Sequence, residues 1–126
     1  MTSHYIRCAV KGSFEDVFES LSRTFGNVYA KKFDNSEPPR GAILGEEYFF
    51  RVNSDVAVLI VLEEHSKDET EIEIISCAGG AGIAGISYSA HSAYANKVKD
   101  FLVCSGFKIE VKEEIPYFSG YRAGTT

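Results

Sequence analysis

The chain has 126 residues, 44% of them hydrophobic and 13% aromatic, which suits one domain with a packed core and excludes a disordered polypeptide. Thirteen basic residues against eighteen acidic ones give a net charge of −5. Binding to a phosphate backbone requires clustered Lys and Arg. The sequence has no such cluster, so no nucleic acid partner is expected.

The cysteine content indicates a reducing compartment. Cys8, Cys77 and Cys104 are far apart and odd in number, whereas a small secreted domain has an even, closely spaced set. The N-terminus lacks the pattern of a signal peptide, and the longest apolar run, Val56–Leu62, is too short to cross a bilayer. The sequence therefore predicts a cytoplasmic protein without a membrane partner.

The first third of the chain predicts a strand followed by a helix. His4–Lys11 alternates apolar and polar side chains, which is typical of a half-buried strand. Ser13 and Asp16 have the spacing of a capping box, although Glu or Gln is the usual second residue, and Gly26 is a natural helix end. The helix carries one apolar stripe, which consists of Phe14, Val17, Phe18, Leu21 and Phe25.

The middle of the chain predicts a series of strands. Val28–Phe33 has the length of a short strand, and the paired prolines Pro38 and Pro39 mark a loop, because proline cannot join a sheet ladder. Three longer strand candidates follow, Ala42–Val52, Val56–His65 and Glu69–Cys77. Their short polar connectors are typical of antiparallel hairpins, since a parallel crossover needs about a dozen residues or more.

The last third predicts a glycine-rich stretch, a second helix and a final strand. Gly79–Gly85 is followed by alternating residues up to Ser89, which suggest an additional strand before the helix. The helix is expected over Ser92–Ser105 and ends at Gly106; its core-facing residues are Tyr94, Val98, Phe101 and Leu102. Apolar and charged residues then alternate as a strand, the apolar ones being Phe107, Ile109, Val111 and Ile115.

The predicted fold is α+β, a two-layer sandwich in the order β-α-β-β-β-β-α-β, with a mostly antiparallel sheet and two helices on one face. We assign residues 1–115 to a single domain and residues 116–126 to a C-terminal tail. The tail begins with aromatic side chains, and because aromatic residues are seldom left in free tails, we expect it to dock. These aromatic residues are Tyr117, Phe118 and Tyr121.

Two helices can cover only one face of this sheet, and several predicted strands are nevertheless apolar on both faces. Val56–Leu62 does not alternate at all, and Tyr48–Phe50 is apolar on both sides. A second subunit, the aromatic tail or a bound ligand would have to cover the second face. Because large exposed apolar patches are rare on soluble monomers, we predict a homo-oligomer. Its expected interface residues are Phe49, Ala57, Leu59 and Val61.

Gly80, Gly82 and Gly85 match the G-x-G-x-x-G fingerprint, in which glycines let the backbone approach the pyrophosphate of a dinucleotide. The context argues against a cofactor. The preceding strand belongs to an antiparallel series, alternating residues separate the glycines from the helix, and only about 40 residues follow. A closely packed strand or bulge explains the glycines better. Anion binding by backbone amides at the start of the second helix is the alternative.

The residue types that carry out catalysis form no recognisable site. Cys8 and Cys104 are expected to be buried hydrophobic residues, whereas Cys77, just before the glycines, is the best candidate for a reactive thiol. No spacing pairs Cys77 with a histidine, and the three histidines lack the spacing of metal ligands. We therefore assign no catalytic residue, no metal and no cofactor.

Two acidic groups have simple structural interpretations. Glu69, Glu71 and Glu73 share one face of a strand and are expected on a polar outer edge that opposes aggregation. His65 follows Glu63 and Glu64, and this cluster is typical of a solvated strand end.

The segment Ile75–Gly80, the alternating stretch after it and the closing helix resemble a family of short, uncharacterised prokaryotic proteins. In that family a strand ends in a Ser/Gly-Gly turn and is followed by an alternating strand and a terminal helix. The resemblance covers residues 40–103, and this chain departs from it by a strand and a tail after Gly106. It implies the fold but no catalytic residue, because the family is a domain of unknown function.

Two functions follow as hypotheses. The first is a binding or interaction module without catalytic activity, which self-associates through the uncovered sheet face. The second is a small-ligand binder or small enzyme with a pocket between the sheet and the helices. Its site residues would be Cys77, Gly80, Gly82, Gly85 and Ser89.

Overall fold

A computed structural model describes residues 2–33, 35–49, 54–78 and 84–118. These residues form a six-stranded antiparallel sheet and two α-helices, so the predicted two-layer α+β sandwich is confirmed. The strands are β1 (Thr2–Lys11), β2 (Tyr29–Phe33), β3 (Arg40–Phe49), β4 (Ser54–Ser66), β5 (Glu69–Ala78) and β6 (Lys108–Phe118). The helices are α1 (Phe14–Phe25) and α2 (Ala84–Cys104).

The sheet order is β2-β3-β4-β5-β1-β6, and every neighbouring pair is antiparallel. Strands β2 to β5 form a meander, in which the hairpins from β3 to β5 are those that the short connectors predict. The strand β1, which comes first in the chain, lies between β5 and β6. The described sheet therefore has β2 and β6 as its edges.

Helix α1 begins and ends at the residues that its sequence predicts. Ser13 is the N-cap, and its Oγ accepts a hydrogen bond from the backbone N–H of Asp16 at 3.2 Å. This bond satisfies one of the amides that have no partner inside the helix. The N–H of Gly26 donates to the carbonyl of Ser22 at the other end. All five residues of the predicted apolar stripe are buried.

Helix α2 is longer than predicted, because it begins at Ala84 rather than at Ser92. The additional strand expected up to Ser89 is therefore wrong, since an alternation of only four residues fits a helical turn as well as a strand. The C-terminal end agrees with the prediction. Gly106 has a φ of 96°, and the N–H of Phe107 donates to the carbonyl of Leu102 at 3.0 Å, as in a Schellman motif.

The core lies between the helices and one face of the sheet, which we call the helix face. Along β4 the buried residues are Val56, Val58, Ile60 and Leu62. The residues between them, including Ala57, Leu59 and Val61, lie on the opposite face, which we call the open face. The core-facing side of α2 is as predicted, because Tyr94, Val98 and Leu102 are buried and Phe101 packs against them.

Strand β6 continues to Phe118, beyond the predicted domain end at residue 115. Pro116 is compatible with this strand because β6 is an edge, where a missing N–H leaves no neighbour unpaired. Residues 119–126 lie outside the described ranges, so the docking of the tail stays a prediction. In the parts of the chain that the structure describes, no helix has the length and hydropathy needed to cross a membrane.

Candidate functional site on the open face of the sheet

An unbroken row of apolar and aromatic side chains crosses the open face at right angles to the strands. The backbone registers place Leu59 opposite Leu44 on one side and Ile75 on the other, and Tyr5 opposite Ile75. In sheet order the row is Tyr29, Leu44, Leu59, Ile75, Tyr5 and Ile115. We call this set the apolar row; it takes one residue from each strand of the described sheet.

The apolar row is partly exposed to solvent. Leu59 near its centre is 37% exposed and Tyr29 at one end is 54% exposed, although Tyr5 is only 8% exposed. Ala57 and Val61, on either side of Leu59 along β4, are half-buried and widen the row. Three of the four predicted interface residues therefore share the open face. The fourth, Phe49, ends β3, and its side chain lies outside the described part of the structure.

Ion pairs border the apolar row on one side, and we call them the charged band. Arg7 lies 3.2 Å from Glu71 and 3.7 Å from Glu113, and Arg40 lies 2.5 Å from Glu63. The charged groups of the band are thus paired within the chain. Each pair is partly exposed and contributes less than about 1 kcal/mol to stability, so its main consequence is a neutralised rim beside an apolar centre.

The glutamates of β5 have a different position from the expected one. Glu69, Glu71 and Glu73 do share a face, but β5 is an interior strand and not an outer edge. The prediction is wrong because β1 pairs with β5, which local sequence patterns do not reveal. Each of the three contacts a β1 side chain, the partners of Glu69, Glu71 and Glu73 being Lys11, Arg7 and Tyr5 in that order.

A hydrogen bond joins the apolar row to Glu73, which lies opposite Arg7 in the β1–β5 register and which we include in the charged band. The phenol of Tyr5 donates to Oε2 of Glu73 at 2.7 Å. Burial of the phenol, followed by the hydrogen bond and the charge of Glu73, raises the pKa of Tyr5 above its ordinary value. The phenol therefore stays neutral and remains a donor at neutral pH.

A shallow depression of about 150 Å³ lies where the apolar row meets the charged band. Val61 and Leu62 are its apolar lining residues, and its charged lining residues are Arg40, Glu63, Glu71 and Glu73. Pockets that enclose a cofactor or a drug-sized ligand are usually about 300 Å³ or larger. This depression has the size for a single side chain.

The helix face holds a polar cluster that sequence reasoning missed. His4 is only 2% exposed, and its Nε2 lies 2.6 Å from Oε2 of Glu114, a residue 110 positions away along the chain. Ser76 is fully buried and lies opposite His4 in the β1–β5 register. Ser, His and carboxylate are the residue types of a nucleophilic triad. Because Ser76 and His4 are closed off from solvent in the described structure, we interpret the His4–Glu114 pair as a clamp between β1 and edge strand β6.

The three cysteines differ in their surroundings. Cys8 is buried as predicted, and burial raises the pKa of its thiol to about 11. Cys104 is exposed, so its expected burial is wrong: it is the last residue of α2, beyond the buried Leu102. Cys77 is half-buried on the open face, with its Sγ 3.2 Å from Oγ of Ser3. The described residues include no group of three or more His, Cys, Asp or Glu side chains placed to hold a metal ion.

The predicted ligand site is only partly described. Gly80 and Gly82 lie outside the described ranges, whereas Gly85 and Ser89 lie in the first turns of α2. The expectation that alternating residues separate the glycines from the helix is therefore wrong. The other argument against a dinucleotide fold holds, because β5 belongs to an antiparallel sheet. Ligand binding beside Cys77 stays a prediction.

The fold and the open face together define a small two-layer α+β domain with one sheet surface that the described helices do not cover. No protein-family model, curated protein or solved structure is significantly similar to this chain. The resemblance of residues 40–103 to short prokaryotic proteins therefore stays a prediction.

Proposed function

We propose that this protein is an interaction module that self-associates by packing the open face of its sheet against the open face of a second copy. The observation that carries the proposal is the apolar row, which crosses all the described strands on the face opposite the helices. Burying such a surface in an interface removes apolar area from water, which is the main driving force of protein association.

The size of the open face supports a second copy as the occupant. Strands of ten residues such as β3 and β5 extend about 33 Å, and six neighbouring strands span about 29 Å. Allowing for the short β2, the face measures about 900 Å², and a stable interface buries about 800 Å² per partner. The whole face is therefore large enough for a stable dimer, whereas the depression beside Val61 is too small for a cofactor.

The arrangement of charge on the open face also supports self-association. Charged groups that lose water in an interface destabilise it unless they are paired. Arg7 and Arg40 already contact glutamates of their own chain, so a second copy can approach without leaving them unpaired. Two sheets that pack face to face in this way form a β-sandwich, with helices on both outer surfaces.

Sedimentation of the purified chain over a dilution series tests the proposal, with Leu59→Glu as the test variant. We expect a dimer that dissociates on dilution in the wild type. Leu59→Glu places a carboxylate in the centre of the interface, and we expect a dissociation constant raised about 100-fold or more. Val103→Glu is the matched control, because Val103 is also an exposed apolar residue but lies on α2.

Equal weakening by both variants would indicate a general effect of added charge and would count against the open face. A wild-type chain that stays monomeric at its highest soluble concentration would overturn the proposal. Circular dichroism of both variants establishes that the sheet is intact.

A further inference from the structure

Two copies of the apolar row complement each other when one copy is reversed, because aromatic side chains then face aliphatic ones. The row reads Tyr29, Leu44, Leu59 from the β2 edge to the centre, and Ile75, Tyr5, Ile115 from the centre to the β6 edge. A twofold axis along the strands, passing between β4 and β5, places each strand over its counterpart in the reversed order. Each aromatic residue then faces an aliphatic one: Tyr29 faces Ile115 of the partner subunit, and Leu44 faces Tyr5 of the partner subunit.

One pair of charged side chains, at the two edges of the sheet, shows the same complementarity. The row of open-face residues next to the apolar row, on the side of the charged band, begins with Lys31 on β2 and ends with Glu113 on β6. These two residues lie at opposite edges of the sheet. Reversal of the row brings these two edges together. Lys31 therefore lies over Glu113 of the partner subunit, which favours this orientation. One row further, Glu63 lies over Glu71 of the partner subunit, and each of the two is paired with an arginine of its own chain.

The other simple arrangement, with the twofold axis across the strands, matches poorly. Each residue of the apolar row would face its own copy, so Tyr5 would lie on Tyr5 of the partner subunit. The charged band would face the residues that border the apolar row on its opposite side, among them Ser3 and Cys77. Lys31 and Glu113 of the partner subunit would then lie at opposite edges of the dimer, so these opposite charges could not meet across the interface.

We infer that the dimer, whose existence rests on the proposed function, has its twofold axis along the strands between β4 and β5, so that Lys31 contacts Glu113 of the partner subunit. The same axis brings the two central strands of each copy together, β4 over β5 of the partner. The contact between Lys31 and Glu113 occurs twice in the dimer, once at each edge. It selects the orientation of the two sheets, while the apolar row supplies the affinity.

Charge reversal at the two positions tests the orientation. Lys31→Glu and Glu113→Lys each create two contacts between like charges, and we expect each variant alone to dimerise about tenfold more weakly than the wild type. An equimolar mixture of the two variants restores both ion pairs in the heterodimer. We therefore expect the mixture to dimerise about as tightly as the wild type. With one variant isotopically labelled, native mass spectrometry should find heterodimers in clear excess over both homodimers.

Lys32→Glu is the matched control for the reversal. Lys32 is the next residue on β2, but it points to the helix face and lies 2.9 Å from Glu15 of α1. We expect this variant to dimerise like the wild type. An equal effect of Lys32→Glu would mean that the net charge of β2 matters rather than the contact with Glu113, and would overturn the orientation.

The outcomes separate the orientation from self-association itself. Dimers that form with wild-type affinity and mix statistically, with half of them heterodimers, overturn the orientation and leave the self-association in place. A wild-type chain that is monomeric throughout overturns both.

Discussion

Tyr5 and Glu73, on the neighbouring strands β1 and β5, are joined by a hydrogen bond in which the phenol donates to the carboxylate at 2.7 Å. The donor belongs to the apolar row and the acceptor to the charged band, and Tyr5 is only 8% exposed. A hydrogen bond to a charged group contributes more than one between neutral groups. The bond therefore adds a side-chain link between β1 and β5 where the apolar row meets the charged band.

Tyr5→Phe removes this bond and leaves the ring in place. We expect the free energy of unfolding to fall by about 1–2 kcal/mol, because Glu73 loses a partner in a partly buried setting. Urea unfolding followed by circular dichroism measures the change. Tyr29→Phe is the control, since Tyr29 is 54% exposed on the edge strand, and it should have little effect. A Tyr5→Phe variant as stable as the wild type would show that water replaces the phenol at no cost.

Two buried phenols make the stability depend on pH in the alkaline range, in addition to the buried thiol of Cys8, whose pKa is raised to about 11. Burial, with the charges of Glu47 and Glu46 adding to it, raises the pKa of Tyr94 from 10.0 to about 12, and burial and Glu73 raise the pKa of Tyr5. In the unfolded chain both phenols ionise near pH 10, at about their ordinary pKa. Above that pH the unfolded state binds fewer protons than the native state, so the stabilisation is complete below about pH 10 and is lost as the pH rises.

Urea unfolding at a series of pH values between about 9 and 11.5 measures this loss. Tyr94→Phe removes one of the two phenols, so its stability should fall less steeply with pH than that of the wild type. Spectrophotometric titration should show Tyr5 and Tyr94 ionising above the ordinary pKa of a tyrosine. Equal slopes for the variant and the wild type would contradict a raised pKa at Tyr94.

Helix α1 shows which parts of this fold could be predicted from the sequence. Its N-cap Ser13, its apolar stripe and its final Gly26 all lie within fourteen residues and act on their immediate neighbours. The hairpins from β3 to β5 were predictable for the same reason, because their connectors are short. The start of α2 was not, since the few alternating residues before Ser89 satisfy both helical and strand periodicity.

The sequence could predict that the candidate site is apolar, but not how its residues are arranged. Lack of alternation in Val56–Leu62 indicates that the second face of the sheet is apolar, and Ala57, Leu59 and Val61 do lie on that face. The apolar row itself depends on registers between strands that are far apart in the chain. Tyr5 meets Ile75 and Ile115 only because β1 inserts between β5 and β6, and no local pattern in the sequence specifies that insertion.

Gly45 and Gly106 are required for different physical reasons, and substitution by alanine should distinguish them. A Cβ at Gly45 would lie 2.0 Å from the carbonyl oxygen of Phe25, so α1 and β3 would have to move apart. We expect Gly45→Ala to lower the free energy of unfolding by about 3 kcal/mol. A Cβ at Gly106 would meet no atom within 4 Å, but the residue has a φ of 96°. The expected cost of Gly106→Ala is about 1 kcal/mol.

Gly106→Asn serves as the control for the backbone argument, because asparagine tolerates a positive φ better than alanine does. It should be more stable than Gly106→Ala when both are measured by thermal or urea unfolding. The opposite order, or a Gly45→Ala variant as stable as the wild type, would contradict the strain at the respective position.

The thiols of this chain report on whether the open face is covered. Cys77 is half-buried on that face, Cys104 is exposed at the end of α2, and Cys8 is buried with a thiol pKa raised to about 11. Alkylation by iodoacetamide requires an accessible thiolate. We therefore expect Cys104 to react fastest and Cys8 to react only on unfolding. If the open faces of two copies pack together, the alkylation of Cys77 should slow as the protein concentration rises.

Mass spectrometry of the alkylated peptides over a concentration series measures all three rates in one sample. Cys104 is the internal control, since it lies on the helix side and its rate should not depend on concentration. The Leu59→Glu variant should alkylate at Cys77 at the rate of the dilute wild type, because the substitution separates the two faces without touching the thiol. A Cys77 rate that stays constant from dilute to concentrated wild-type protein would mean that solvent always reaches the open face, and self-association through it would be wrong.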